Sequence, residues 1–250
     1  MKFFMIIVAL VSLLYGVSYQ ELAQKSDDAQ AGFEDAKSQM SMTLINAKGQ
    51  KRERLMKMQV LEGAQGDKSL MEFLSPADVK GTKFLNYEHV TKDDDQWLYL
   101  PALKRVKRIA SKNRSGAFMG SEFSYEDLSA FNVDKYRYPE GEAKVSEFEG
   151  KKVYIGESKP VSKYSGYTKL VTWVDATSYL IQKIEYYDRK KELLKTAIFE
   201  DYRQIDGVWR IGKIRMSNIQ NDKKTILVWS DERIKTGLKA KDFHKRVLKK

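Results

Sequence analysis

The residue types that carry most enzyme chemistry are scarce in this chain. It has no cysteine and two histidines, His89 and His244. Thiol nucleophiles, disulfides and Cys-based metal sites are therefore excluded, and two histidines cannot form a multi-histidine metal site. No Gly-x-Ser-x-Gly elbow, Walker loop or His-Glu-x-x-His pattern occurs. Asp93-Asp94-Asp95 has carboxylates for weak calcium binding but lacks the spaced ligands of an EF-hand loop; an acidic hairpin turn is expected there. Glu126-Asp127 is a carboxylate pair without an identifiable acid–base partner. The sequence offers an amphipathic contrast instead. Trp97-Leu98-Tyr99-Leu100 reads as a strand with bulky residues on both faces. The chain then turns cationic at Lys104, Arg105, Lys107 and Arg108, with Lys112 and Arg114 beyond. An apolar wall beside a cationic rim suits an amphiphile, greasy at one end and anionic at the other.

Those four cations admit three readings. They could hold an anionic head group or dock the protein on an anionic membrane or acidic partner, each cation contributing about 1 kcal/mol at a membrane surface. They could also be a solvated edge strand whose lysines block further pairing. The apolar supply is rich in methionine, which fills irregular space and repacks around variable partners. Met40, Met42, Leu44, Met56, Met58, Phe73, Phe84, Trp97, Tyr99, Phe118, Met119 and Trp173 are the candidates for lining an acyl-chain cavity; ordinary core packing is the competing role. Trp97 and Tyr99 share one strand face and Leu98 and Leu100 the other, and the aromatic pair is expected to face inward.

The elements that must position these residues follow from the pattern along the chain. Residues 1–18 read as a cleaved secretory signal: Lys2, an apolar run from Phe3 to Leu14, then the small residues Gly16 and Ser18 at the −3 and −1 positions. The rest, 19–250, is long enough for a sizeable core and shows no linker, so one domain is expected. A lipobox cysteine is missing, so the protein does not carry its own acyl anchor. With a net charge of +11, an exported chain points to anionic membranes or ligands rather than to nucleic acid.

Gln20 to Lys37 is expected to be a helix, with Leu22, Ala29, Phe33, Ala36 and Met40 near one face. Strands follow at roughly ten to fifteen residues each with hairpin-length turns, which means an antiparallel meander. The exception is Ala110 to Tyr138, long and irregular, where Ser124 and Asp127 could cap a short helix. A second short helix is expected from Lys239 to Val247. A sheet of about ten antiparallel strands must bury one face, by closing or by curling around covering helices.

Ser75-Pro76, Lys80-Gly81-Thr82-Lys83-Phe84-Leu85, Tyr87, Asp95-Gln96-Trp97-Leu98-Tyr99-Leu100-Pro101 with Lys104-Arg105-Val106, and Phe118-Met119-Gly120-Ser121 with Phe123 and Tyr125-Glu126-Asp127 together resemble the outer-membrane lipoprotein-sorting proteins, LolA-like periplasmic carriers. Weaker similarity extends over residues 20–248. The resemblance is to a divergent branch, and no individual functional residue of LolA is transferred. It implies a mainly β (α+β) fold: a strongly curved, incomplete antiparallel β-barrel of about eleven strands with helices covering the open side. It also implies a periplasmic monomer without catalysis or cofactor, sheltering lipoprotein or lipid acyl chains between an inner-membrane transporter and an outer-membrane acceptor. Contact with anionic membrane surfaces would be transient. The alternative is a structural or adaptor subunit of an envelope export complex of the resistance-nodulation-division type. A lipid-modifying enzyme, which needs a convergent polar site in the pocket, is the third reading.

Overall fold

Alternating apolar residues in Met40-x-Met42-x-Leu44 and Met56-x-Met58 build the longest hairpin of the chain. The two strands pair in register from Asp35↔Leu61 to Ile45↔Lys51, and Gly49 supplies the positive φ of 78° in the connecting turn. The structure, a computed structural model, describes residues 16–129 and 131–249. The expected leader therefore lies outside the described residues except for positions 16–18. Of these, Ser18 caps the first helix, its hydroxyl accepting the Glu21 N–H at 3.1 Å, and the Val17 carbonyl accepts the Ala143 N–H at 2.7 Å.

That helix, α1 (Tyr19–Asp28), is followed by β1 (Asp35–Ile45), β2 (Lys51–Leu61), β3 (Lys68–Ser75), β4 (Lys83–Tyr87), β5 (Asp95–Leu100) and β6 (Arg105–Ile109). The second half holds β7 (Tyr136–Arg137), β8 (Lys144–Phe148), β9 (Lys151–Pro160), β10 (Tyr167–Asp175), β11 (Ile181–Asp188) and β12 (Leu193–Glu200). It ends with β13 (Arg203–Ile205), β14 (Val208–Arg210), β15 (Lys213–Asn218) and β16 (Lys224–Ile234). Fourteen strands form one sheet in the order β6-β5-β4-β3-β2-β1-β16-β15-β12-β11-β10-β9-β7, with β8 also on β9. Its pairings between named strands are antiparallel. Strand β16 pairs with β1, so the last strand joins the two halves of the meander. The terminal strands β6 and β7 do not pair with each other, and the sheet is open.

The sequence expectation of about eleven strands is low because short edge strands were not separable. The stretch 209–216 also divides into β14 and β15 at Gly212. A Cβ on Gly212 would lie 2.3 Å from the Asp201 carbonyl oxygen, so the chain crosses there at a distance only glycine permits. The expected helix from Gln20 to Lys37 stops at Asp28. Gly32 adopts φ 90°, and the Glu62 carboxylate accepts the N–H groups of Gly32 at 2.8 Å and Glu34 at 2.9 Å, turning the chain into β1. Phe33 and Ala36 then pack with Ile234 instead of continuing a helix face. The expected C-terminal helix is two 3-10 turns, Ala240–Phe243 and Lys245–Lys249. Among the described residues, α1 is the one α-helix; a set of covering helices is replaced by irregular chain.

Segment 110–138 is that cover, and charge pins it to the sheet. Asp93 binds Arg114 at 2.6 Å, Asp94 binds Lys135 at 2.6 Å, and Asp127 binds Lys195 of β12 at 2.5 Å. The acidic triplet does lie at the β4–β5 hairpin connection, as expected, but its Asp93 and Asp94 carboxylates are engaged by the cover. Its Asp94 side chain is 3% exposed and also accepts the Ser129 hydroxyl at 2.5 Å. Within the segment, Tyr125–Leu128 forms the expected short turn, with the Ser124 N–H donating to Asp127 at 2.7 Å. Its aromatic residues sink into the sheet face: the Phe118 ring lies 6.0 Å from Phe73 and 5.2 Å from Phe84.

Candidate functional site: a half-filled sheet face

One face of the sheet carries both the main core and the main cavity. Between β1 and β5 this face is solid except at the Met58–Val60 end of β2, which borders the cavity. Met40, Met42, Met56, Phe73 and Phe84 are at most 1% exposed and pack with the fully buried Phe118. Further along, β10, β11, β12, β15 and β16 present Leu170, Ile184, Tyr186, Ala197, Phe199, Ile214, Met216 and Trp229 to a cavity of about 1090 Å³. Met58 and Val60 of β2, α1 and the second half of the irregular segment supply its other walls.

A polar node marks the boundary between the two regions. Lys195 and Asp127 are 3% and 4% exposed. The Tyr167 hydroxyl donates to Asp127 at 2.8 Å and meets the Ser124 hydroxyl at 3.1 Å. The Lys195 ammonium also donates to the Glu122 carbonyl at 2.8 Å and lies 5.3 Å from both the Tyr167 and the Tyr186 ring centroids. Burial raises both tyrosine hydroxyls well above their ordinary pKa, and the Asp127 charge adds to this. They stay protonated donors. Every charge in this node is paired, so it fastens the cover to β10 and β12.

The cavity mouth is acidic although the protein as a whole is basic. Asp27, Glu62 and Asp67 line it. Burial pushes the Asp27 carboxyl up to about 6, and the charges of Asp28, Asp67 and Glu62 reinforce the shift. Burial likewise pushes Asp67 up to about 6, with the Gly63 N–H opposing. Glu126 is raised mainly by burial and by Asp127, against the Gly166 N–H and Arg114. Arg210 also lines the cavity but is engaged with Glu232 at 2.9 Å and lies 4.2 Å from the Phe33 ring centroid.

Of the twelve cavity candidates read from the sequence, Met58 lines this space. Met40, Met42, Met56, Phe73, Phe84 and Phe118 are in the solid core, where facing side chains leave no room; Leu44 and Met119 pack beside them. Trp97 and Tyr99 face the other way. Leu98 and Leu100 belong to the main core, while Trp97 and Tyr99 pack with the C-terminal Leu238, Phe243 and Leu248 on the opposite face. The physical reason is the tail itself: it covers the aromatic pair, with Lys245 lying 4.2 Å from the Trp97 ring centroid and the Tyr87 hydroxyl donating to the Phe243 carbonyl at 2.5 Å. Trp173 also points outward, paired in register with Lys183, whose ammonium lies 4.3 Å from the ring centroid.

Lys104, Arg105, Lys107 and Arg108 sit at the open edge of the sheet, on or just before β6, and all four are exposed. They do not line the cavity, so the head-group assignment within its rim does not fit. Alternation along β6 sends Arg105 and Lys107 to one face and Arg108 to the other, where Arg108 pairs with Asp95. Leu103, immediately before them, is 67% exposed. No group of three His, Cys, Asp or Glu side chains among the described residues has the arrangement of a metal site. No helix among the described residues is long and apolar enough to cross a membrane.

The sequence reading missed the acidic mouth and most of the true lining. The alternations Ile184-x-Tyr186 and Ile214-x-Met216, with Trp229, carried the lining signal. The mouth had none, because residue 27 belongs to α1 while residues 62 and 67 belong to the β2–β3 connection.

The fold and sequence have well-defined relatives. A family model described as "-like: Uncharacterized protein" matches residues 65–250, and no curated protein matches. An outer membrane lipoprotein-sorting protein domain from Vibrio parahaemolyticus is 48% identical, covering 92% of this chain and 98% of its own, with a TM-score of 0.89. A DUF1329 family protein from Desulfovibrio piger is 31% identical over 92% of this chain and 97% of its own, with a TM-score of 0.86. A LolA superfamily protein from Nitrosomonas europaea is 20% identical, covering 92% and 99%, with a TM-score of 0.73; that likeness concerns the fold alone. The mainly β, LolA-like architecture expected from residues 75–127 is thereby borne out.

Proposed function

Because this chain belongs to the DUF1329 family, the divergent LolA-like branch, we propose that it is a carrier that shelters acyl chains of lipoproteins or lipids. The cavity of about 1090 Å³ between β10–β16 and the irregular cover carries this reading. Small-molecule pockets usually span about 300–1,000 Å³, so this one is large. Its floor of Leu170, Ile184, Ile214 and Met216, with the Trp229 ring, offers hydrocarbon contact. Hiding a sixteen-carbon chain from water is worth on the order of 12 kcal/mol, which is the energetic motive for a carrier between two membranes. Segment 118–128 touches β4 through Phe118 and β10 through Ser124, so one cover spans both halves of the open sheet.

On this reading the leader at residues 1–18 is removed, residues 19–250 act as one periplasmic domain, and cargo passes from an inner-membrane transporter to an outer-membrane acceptor. The exposed Leu103 beside Lys104, Arg105, Lys107 and Arg108 is the docking edge for anionic membrane or partner surfaces, an apolar tip flanked by cations. No catalytic step is assigned: the charges of the Lys195–Asp127 node are paired and hydrogen-bonded to each other and to Tyr167. An adaptor subunit with a fully packed interior is less well supported, because only half of this face is filled. Denaturing mass spectrometry of protein purified from its native envelope tests the proposal. Co-purified acyl chains in near-stoichiometric amount are expected; repeated preparations without any lipid would overturn it.

A further inference from the structure

The cavity is lined by more acidic than basic side chains. Asp27, Glu62 and Asp67 line it, and none of the three has a salt-bridge partner among the described residues. The two cations that act on Asp67 are committed elsewhere, Lys135 to Asp94 at 2.6 Å and Arg210 to Glu232 at 2.9 Å. A second observation is independent of these acids. Ser26, one residue before Asp27 on α1, is 3% exposed and also lines the cavity. Its Oγ has no hydrogen-bond partner. A buried hydroxyl left unpaired is costly unless a ligand completes it. Carboxylates held partly out of water without an ion-pair partner likewise mark a place where a positive group is gained on binding.

We propose that the mouth receives the protonated amine of an amphiphile whose hydrocarbon chain occupies the cavity, the ammonium bridging Asp27 and Asp67 and donating to Ser26 Oγ. An ammonium has three donors and no acceptor, which matches two carboxylates and one unpaired hydroxyl oxygen. A head group bearing only negative charge meets repulsion there. The inference rests on the carrier reading and names its substrate class: amine-headed phospholipid or an amphiphile of the same chemistry.

The experiment compares two lysophospholipids with the same acyl chain, one ending in ethanolamine and one in glycerol, binding to delipidated protein in calorimetric titration. Both carry the phosphate, so the difference isolates the amine. The wild type is expected to favour the ethanolamine lipid by at least about tenfold, about 1.4 kcal/mol. The D27N/D67N variant, its fold checked by circular dichroism, is expected to bind the two lipids alike. Equal binding by the wild type, or a preference that survives in the variant, overturns the amine assignment and leaves the carrier reading standing. Binding of neither lipid by the wild type overturns both.

Discussion

Two regions of one sheet face, built from the same kind of alternating strands, end in opposite states. Between β1 and β5 the face is filled by Met40, Met42, Met56, Phe73 and Phe84 under the inserted Phe118. Between β10 and β16 it is hollow. The strands do not explain the difference, since both regions offer large apolar residues. The cover does. Its first half drives Phe118 into the sheet and adds the Tyr125 ring 5.6 Å from it, whereas its second half, from Leu128 to Tyr136, stands off as a wall. The Lys195–Asp127–Tyr167 node holds the cover at that height. Apolar content alone therefore does not make a pocket; the height at which polar pins hold the cover does.

The largest expected effect separates the two regions with a single chemical change. Phe118→Ala should destabilise the protein by about 3–5 kcal/mol, as for a fully packed aromatic. Phe199→Ala, where the ring already faces open space, should cost only about 1–2 kcal/mol, the transfer cost without a new void. Chemical denaturation measures both, and equal losses would erase the distinction between solid and hollow. Lys195→Met should cost about 3–5 kcal/mol by stranding the buried Asp127. The double variant K195M/D127L should recover much of that stability while losing bound acyl chain, because the cover is no longer held at its height.

A smaller effect comes from the mouth. Asp67 has its pKa raised from 3.8 to about 6 by burial, so the folded state holds its proton more tightly than the unfolded one. The resulting penalty is fully present above pH 6 and is relieved as pH falls from 6 toward 4. Glu62 adds to it, while Arg210 and Lys135 oppose it. Asp67→Asn should therefore stabilise the protein by about 1–2 kcal/mol at pH 8, with the gain fading by pH 4. A gain that does not depend on pH would contradict the assigned cause. The smallest stability effect belongs to the open edge. Reversing Lys104, Arg105, Lys107 and Arg108 to glutamate should change stability by no more than about 0.5 kcal/mol. Loss of binding to vesicles containing anionic lipid is expected, and unchanged binding would leave β6 as a charged edge that only blocks strand pairing.

Much of this fold was legible in the sequence. Alternation and turn residues located the hairpins, and the irregular stretch from Ala110 to Tyr138, with Ser124 and Asp127 at its short turn, stood out by its composition. Which face of Trp97–Leu100 turned inward was not legible, because both faces are apolar and the deciding partner, the tail with Phe243 and Leu248, lies some 140 residues away. The helix after residue 18 was overextended because Phe33 and Ala36 fit helical spacing, while the carboxylate that ends it, Glu62, comes from beyond β2. The methionines were assigned to a cavity on chemistry that suits core and cavity alike; Met216 reaches it and Met42 does not.

Trp229 tests the central claim most directly, because it lines the hollow region while Trp97 and Trp173 lie on the opposite face. Delipidated protein is titrated with a bromine-labelled fatty acid and tryptophan fluorescence is followed. Saturable quenching that is largely lost in W229F is the expected result. No saturable quenching, or quenching that persists undiminished in W229F, would place the acyl chain somewhere other than the hollow half of the sheet.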